Sequence, residues 1–242
     1  MLYLLTLFVV GLIGITLRFV IKGEFDLEQL LILSMLPIGA ILVWLLQKRQ
    51  IRRDSTYQPK QPEPRWQSSV AERHSSGRKL LYRGGEIYAT YSRYYRKRWQ
   101  EIFNQVIDGK GNGYLNLSFT KADGTAIRFV DQKESMLRWN EAWQIVQDGQ
   151  VIGEIKTDFT VKNSVALQEG ITLIWKDQSY YFKSFRLDSR TEVMRDQQVI
   201  AKGKRSDLFR SHYQFEVITD QVDEEEESIL AMVYVLFVYI HK

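Results

Sequence analysis

The chain has 242 residues, enough for one domain and accessory segments, and its net charge is +4. The charge is uneven: residues 48–99 hold fourteen Lys and Arg against four Asp and Glu, a local net charge of +10. There is no cysteine, which excludes a disulfide framework, thiolate zinc sites, cysteine nucleophiles and palmitoylation.

Residues 1–47 predict a helical hairpin that crosses a membrane twice. Two apolar runs, residues 2–17 and 30–46, are each long enough to span the hydrocarbon core of a bilayer with mild tilt. The short acidic loop between them forces an antiparallel arrangement. A signal peptide is the alternative for the first run, but no Lys or Arg precedes Arg18 and no small-residue cleavage site follows. We therefore predict an uncleaved transmembrane hairpin.

Four bases predict the orientation of this hairpin. Lys48, Arg49, Arg52 and Arg53 come directly after the second apolar run. Bases at that position are held on the cytoplasmic side of a membrane. The sequence thus predicts a multi-pass protein of the cell membrane with everything from Lys48 onward in the cytoplasm.

Residues 48–77 have the composition of a linker. They are basic, and Pro59, Pro62 and Pro64 stand among many Ser, Gln and charged residues. Such a composition predicts an extended, poorly ordered tether.

Residues 86–107 predict an amphipathic helix that is both aromatic and basic. Aromatic and aliphatic side chains recur at spacings of three and four, with bases on the other side. Three interpretations compete: a face packed on the domain with solvated bases, a helix lying on the anionic inner leaflet, and binding of single-stranded nucleic acid. The adjacent hairpin makes lipid the nearer anion, so nucleic acid is not expected as a partner. The candidate lipid contacts are Arg93, Arg96, Lys97 and Arg98, with Trp99 as an interfacial anchor.

Residues 113–217 predict a meander of short antiparallel strands. Nine runs alternate between apolar and polar residues, and turn signals separate them. Asp148-Gly149 between two such runs is typical of a type I′ hairpin turn. The segments that begin at Asp123, Asp148 and Asp196 share one pattern, a turn followed by a strand that opens on Val or Ala and then Ile. Eight to ten such strands favour closure into a barrel, which removes exposed edges.

Residues 229–240 are twelve consecutive apolar residues, preceded by acids at 223–227. A helix of this length rises about 18 Å, short of the roughly 30 Å of a bilayer core. Because it is apolar on every side, it must be enclosed by protein. We predict a core helix over residues 228–240, with the acids at its N-terminus favoured by the helix dipole.

The meandering strands with Asp-Gly-x-x-Ile turns, the runs 143–156 and 191–204, and the closing apolar helix resemble the tubby C-terminal-like superfamily. This superfamily includes tubby domains, LURP-one-related proteins and phospholipid scramblases, and the resemblance covers roughly residues 78–242. With its hairpin the chain is similar to membrane-anchored tubby-like proteins of Gram-positive bacteria. The resemblance implies a closed barrel of about twelve antiparallel strands threaded by a hydrophobic C-terminal helix. It also implies binding of phosphoinositides through basic surface residues, although no such position carries over onto this chain.

The expected function is therefore non-enzymatic. No catalytic pair, cofactor motif or metal-ligand spacing stands out, and His74, His212 and His241 are scattered. We expect a membrane-anchored barrel that binds anionic phospholipids or a partner at the inner leaflet. One alternative is a tethered protein-interaction or sensing module with an unknown protein partner. The other is a scramblase-like lipid transporter, which would need more polar residues in its spans than Thr6, Thr16 and Ser34.

Overall fold

The computed structural model describes residues 2–59, 63–106, 113–132, 141–158, 170–185, 190–206 and 211–241. Within these ranges there are four helices and twelve strands. The helices are α1 (Leu2–Lys22), α2 (Leu27–Ser55), α3 (Arg98–Val106) and α4 (Glu224–His241). The strands are β1 (Trp66–Ser69), β2 (Lys79–Arg83), β3 (Glu86–Tyr94), β4 (Asn116–Lys121), β5 (Ala126–Asp131), β6 (Ala142–Gln147), β7 (Gln150–Thr157), β8 (Gly170–Trp175), β9 (Gln178–Phe185), β10 (Arg190–Arg195), β11 (Gln198–Arg205) and β12 (His212–Val217).

The described strands form one closed antiparallel barrel in which each strand pairs with its sequence neighbours. The barrel closes where β1 pairs with β12, with Trp66 opposite Phe215. This confirms the barrel expected from the sequence, and the nine predicted strands correspond to β4–β12. A closed barrel leaves no strand edge open to pairing with another chain.

Tight turns join the hairpins at one end of the barrel. Positive φ angles at Asp148 (51°) and Gly149 (83°) fit the predicted type I′ turn, and Asp196 (51°) and Gln197 (64°) form a second turn of the same kind. The hairpins β2–β3, β6–β7 and β10–β11 each contain a register shift, whereas β4–β5 and β8–β9 show none. A bulged hairpin therefore recurs at every fourth strand. The Asp123 turn also leads into a strand that opens on Ala126 and Ile127, as the sequence pattern predicts, but its hairpin has no register shift.

Helix α4 fills the barrel. All residues from 229 to 240 are at most 9% exposed, and the inward side chains of the strands surround them. The helix begins where Asp223 accepts a hydrogen bond from the Glu226 N–H at 2.7 Å. Gly203 marks a point of close approach, because a Cβ there would lie 2.3 Å from the Tyr234 ring. The predicted core helix is thus confirmed.

Helices α1 and α2 form the predicted hairpin. Both are long and apolar enough to cross a membrane, and few of their residues are fully buried within the protein. They pack closely at Gly11, where a Cβ would clash with the side chain of Leu33. At the loop, Arg18 pairs with Asp26 at 3.1 Å. Asp26 also accepts from the Gln29 N–H at 3.0 Å and so begins α2.

The described parts of residues 48–77, namely 48–59 and 63–77, are not the extended tether that their composition predicts. Helix α2 continues to Ser55, and Trp66–Ser69 forms β1, the strand that closes the barrel. The barrel therefore begins at Trp66, twelve residues before the predicted boundary at 78. Contacts with α2 hold this segment in place, although its local sequence does not favour a regular structure.

The predicted amphipathic helix over residues 86–107 is also wrong in its first half. Residues Glu86–Tyr94 are strand β3, which pairs with β2 and β4, and only Arg98–Val106 is helical. Residue 107 lies outside the described residues. The aromatic spacing that suggested a helix belongs to a strand whose Ala89, Tyr91 and Arg93 alternate inward.

Candidate membrane-facing site

One end of the barrel carries both the C-terminus of α4 and the attachment of α2. Arg73, in the β1–β2 connection, donates to the carbonyl of Tyr239 in the last turn of α4 at 3.0 Å. Asp54 of α2 contacts the same connection. We call this the proximal end, and we call the opposite end, with the N-terminus of α4, the distal end.

A buried carboxylate joins α2 to the barrel. Asp54 is 1% exposed and accepts hydrogen bonds from the Ser69 hydroxyl at 2.7 Å and from the backbone N–H groups of Ala71 and Glu72 at 2.9 Å. Downstream, the Tyr82 hydroxyl donates to the carbonyl of Tyr57 at 2.7 Å. Because a buried charge with these partners resists separation, the hairpin and the barrel are held as one unit.

Further charged side chains are buried beneath this junction. Glu72, 2% exposed, accepts from the backbone N–H groups of His74 at 2.7 Å and Ser75 at 2.9 Å. Lys79, 1% exposed, donates to the carbonyl of Gly77 at 3.3 Å, and burial lowers its pKa. The cation of Arg73 at the C-terminus of α4 complements the helix dipole. These contacts close the proximal end of the barrel.

Helix α3 presents bases and apolar side chains outward at the proximal end. The buried Gln100 side chain accepts from the backbone N–H groups of Arg96 (3.0 Å) and Lys97 (3.2 Å), which fixes the entry into the helix. Arg96, Lys97 and Arg98 are exposed, and Trp99 and Ile102 are 47% and 55% exposed. Helix α3 packs against α1, the first candidate transmembrane helix.

Arg93 does not belong to this outward surface, although the sequence grouped it with the others. Its side chain points into the barrel from β3 and is 1% exposed. The guanidinium donates to the carbonyls of Arg73 (3.1 Å), Gly113 (3.3 Å) and Tyr114 (3.4 Å). Arg93 is therefore a structural residue, and it is removed from the set of candidate lipid contacts.

The bases at the end of α2 extend the exposed surface. Lys48, Arg49, Arg52 and Arg53 are all exposed, and the Lys48 ammonium lies 5.3 Å from the centre of the Trp44 ring. We define the proximal collar as these four bases together with Arg96, Lys97, Arg98 and Trp99. Interfacial aromatic residues beside bases are typical of the level at which a helix leaves a bilayer.

The acids in the first turn of α4 form ion pairs. Glu226 pairs with Arg195 at 2.8 Å and Glu227 with Arg83 at 2.6 Å, and the Tyr180 hydroxyl also donates to Glu226. This agrees with their expected role as charges of a helix N-terminus. No group of three or more His, Asp or Glu side chains within the described ranges could hold a metal ion.

A second basic feature lies on the outer wall of the barrel, and sequence reasoning missed it. A groove of about 190 Å³ is lined by Arg65, Arg190, Lys202 and Lys204, with Glu192 and Glu216 between them. Arg190 and Lys204 stand directly opposite each other on β10 and β11. Acids lie among these bases, and Arg65 pairs with Glu216 at 2.9 Å. The only signal in the sequence is the Lys-x-Lys alternation in β11.

Comparison with known proteins identifies the domain. A family model described as the Tubby C-terminal-like domain matches residues 73–240. The chain belongs to the tubby C-terminal-like family. No curated protein and no solved structure matches the sequence. The tubby-like match begins in the β1–β2 connection, so β1 completes the barrel from residues that precede the matched region.

Proposed function

We propose that this tubby-like protein is a non-enzymatic, membrane-anchored binding module whose proximal collar binds anionic lipid head groups. The observation that carries the proposal is the position of α3. It packs against α1, and its exposed side chains combine Arg96, Lys97 and Arg98 with the apolar surface of Trp99 and Ile102. Bases beside an interfacial aromatic are the combination that anionic bilayer surfaces attract.

The size of the electrostatic attraction supports a reversible interaction. Each Lys or Arg held near an anionic surface contributes about 1 kcal/mol, so three contribute about 3 kcal/mol. That corresponds to a preference of about 100-fold for anionic over neutral lipid. The attraction falls as salt increases, because the Debye length shortens to about 3 Å at 1 M.

We further propose that the barrel lies in the cytoplasm. The exposed Lys48, Arg49, Arg52 and Arg53 stand at the end of the second apolar helix, and bases in such positions remain on the inner side. The inner leaflet is also the leaflet with the negative surface potential that a basic collar requires.

The hairpin itself favours an anchor over a lipid transporter. Its hydroxyl groups are turned back on their own helices: Thr6 donates to Leu2 at 3.0 Å and Thr16 to Leu12 at 2.8 Å. Hydroxyl groups engaged in this way offer few hydrogen bonds to a lipid head group that crosses the bilayer. If the purified protein in vesicles moved fluorescent lipids between leaflets, the anchor proposal would give way to transport.

Lipid contact can be measured on the full chain in nanodiscs. Energy transfer from a fluorophore on the collar to a head-group-labelled anionic lipid should be greater than transfer to a labelled neutral lipid. This difference would show that anionic lipid is enriched around the collar. Replacing Arg96, Lys97 and Arg98 by Gln should remove most of this enrichment. The matched control replaces Lys121, Arg128 and Lys156, which lie on strands of the barrel wall, by Gln and should leave it unchanged. Equal enrichment in both triple variants would refute a specific role for the collar.

A further inference from the structure

The two helices of the hairpin end at different heights on the barrel's side. Their pairing is defined at Gly39, where a Cβ would lie 3.6 Å from the Leu4 side chain, and at Gly11, where it would clash with Leu33. Because the helices are antiparallel, this register places the start of α1 level with Ile41 of α2. The first collar base of α2 lies seven residues farther along, which is about 10 Å at roughly 1.5 Å per residue.

The part of α2 that rises above the start of α1 is apolar and exposed. Trp44, Leu45 and Leu46 are 46%, 49% and 58% exposed. In a bilayer such side chains belong in hydrocarbon or at its boundary, so the apolar layer extends past the start of α1. Helix α3 packs against α1, which sets α3 below the level at which α2 leaves the bilayer.

We propose that α3 is an interfacial helix inserted beside the start of α1, and that the depth of its apolar side chains follows the thickness of the bilayer. This inference rests on the proposed lipid binding and adds how that binding is regulated. A helix in the plane of the interface buries its apolar face by about 5–10 Å, which matches the difference in height between the two hairpin helices. The exposed Trp99 and Ile102 form this apolar surface, and the bases at 96–98 can extend toward the phosphates.

Charged side chains hold the other end of the hairpin at the opposite surface of the bilayer. Arg18 pairs with Asp26 at 3.1 Å and with Glu24 at 3.6 Å, and Lys22 and Glu28 lie beside them. Charges are costly in hydrocarbon, so this end stays at its interface when the thickness changes. From Arg18 to its first residue α1 rises about 24 Å, whereas α2 rises about 33 Å from Asp26 to the collar. A hydrocarbon core of about 24 Å therefore ends near α3, and one of about 33 Å covers it.

The barrel cannot change its height independently of the hairpin, because the end of α2 is docked on it. Ile51 packs at Gly77, where a Cβ would lie 2.9 Å from the Ile51 side chain. The rings of Tyr57 and His212 lie 4.6 Å apart, and the buried Asp54 adds its hydrogen bonds. Since α3 belongs to the same body as the barrel, it keeps a fixed height along the hairpin. A thicker bilayer must therefore cover α3 more deeply.

The depth of a spin label in bilayers of two thicknesses tests the inference on the full chain. The label is attached at Ile102→Cys, and the nanodiscs contain the same fraction of phosphatidylglycerol in phosphatidylcholine, with hydrocarbon cores of about 24 and 33 Å. Its accessibilities to oxygen and to an aqueous relaxation agent give the depth. We expect the label to lie at least about 4 Å deeper in the thicker bilayer, roughly half of the difference in height between the two helices.

An insertion variant tests whether the docked helix transmits the thickness. Gly-Ser-Gly-Ser between Arg49 and Gln50 separates the span from the docked end of α2 and should reduce the change in depth to less than half. The control places the same insertion between Gly124 and Thr125, in the exposed β4–β5 turn, and should leave the change intact. If the first insertion lowers the melting temperature, Asp54→Ala replaces it.

The possible outcomes separate this inference from the proposed function. A label that is equally shielded from water in both bilayers would overturn the dependence on thickness alone. A label that is exposed to water in both would overturn the lipid contact as well. The same change in depth in the natural chain and in the α2 insertion variant would show that the docked helix does not set the depth of α3.

Discussion

The attachment of α2 to the barrel through Asp54 makes the sharpest prediction about how the protein is built. Its carboxylate serves three donors, the Ser69 hydroxyl and the N–H groups of Ala71 and Glu72, at distances between 2.7 and 3.0 Å. Asp54→Ala leaves these donors without their acceptor. With about 1–3 kcal/mol for each buried unsatisfied group and partial hydration, we expect a loss of about 3–5 kcal/mol.

Hydrogen exchange of the full chain in detergent or nanodiscs measures this loss at the donors themselves. The amides of Ala71 and Glu72 should exchange at least about 100-fold faster in Asp54→Ala, because 1.4 kcal/mol corresponds to a factor of ten. Asp54→Asn keeps one acceptor oxygen and should fall between that variant and the natural chain. The control Asp123→Asn removes an exposed carboxylate at the distal end and should not alter these amides. Unchanged exchange in Asp54→Ala would show that the hairpin is not held to the barrel in this way.

Two further predictions concern the stability of the fold. Leu236→Asp buries an unpaired carboxylate at a fully enclosed site of α4 and should cost more than about 4 kcal/mol in thermal or denaturant unfolding, against less than about 1.5 kcal/mol for Leu236→Met. Burial raises the pKa of Tyr57 to about 12 and raises those of Tyr91 and Tyr239, so these groups stay neutral in the fold while the unfolded chain loses their protons. The contribution of these tyrosines to the free energy of unfolding should be fully present below pH 10.0, the pKa of tyrosine in the unfolded chain, and should be lost as the pH rises above it. Denaturant unfolding between pH 9 and 12 measures this loss. A free energy of unfolding that does not change over this range would contradict the prediction. Lys79, whose pKa burial lowers, acts in the opposite direction, and the buried tyrosines outnumber it.

The parts of the fold that the sequence predicts are those whose local pattern matches their environment. Strands β4–β12 alternate between an apolar inner face and a polar outer face, and their turns contain Asp and Gly where positive φ is required. Residues 229–240 are apolar all round, and a closed barrel is the one place in the described fold that encloses them. In each case one short-range signal suffices.

The first three strands escape prediction because each of them buries polar residues that interrupt the apolar pattern. Strand β1, Trp-Gln-Ser-Ser, is buried throughout, and its Ser68 hydroxyl donates to the carbonyl of Leu80 at 3.0 Å while Ser69 contacts Asp54. These partners lie 12 and 15 residues away, so no local pattern shows them. In β3 the inward Arg93 breaks the apolar alternation, and the aromatic residues that remain visible have helical spacing.

The sequence predicts only the part of the candidate site that depends on a local pattern. The collar bases of α2 and residues 96–98 are closely spaced charges whose exposure a sequence indicates well. Their common position beside the membrane helices depends on the packing of α3 on α1, which is a tertiary contact. The groove around Arg190 and Lys204 arises from the register of β10 against β11, and neither strand shows it alone.

The depth of α3 in a bilayer tests the central claim most directly. Because the chain has no cysteine, a single spin label can be placed at Ile102→Cys, with Val151→Cys as the distal control. In nanodiscs containing anionic lipid, the label at 102 should be shielded from an aqueous relaxation agent and accessible to oxygen, and the label at 151 should remain in water. Replacing Arg96, Lys97 and Arg98 by Gln should move the label at 102 toward water. If the label at 102 is as exposed to water as the label at 151 whatever the lipid, the collar does not lie on the membrane and the proposed function is wrong.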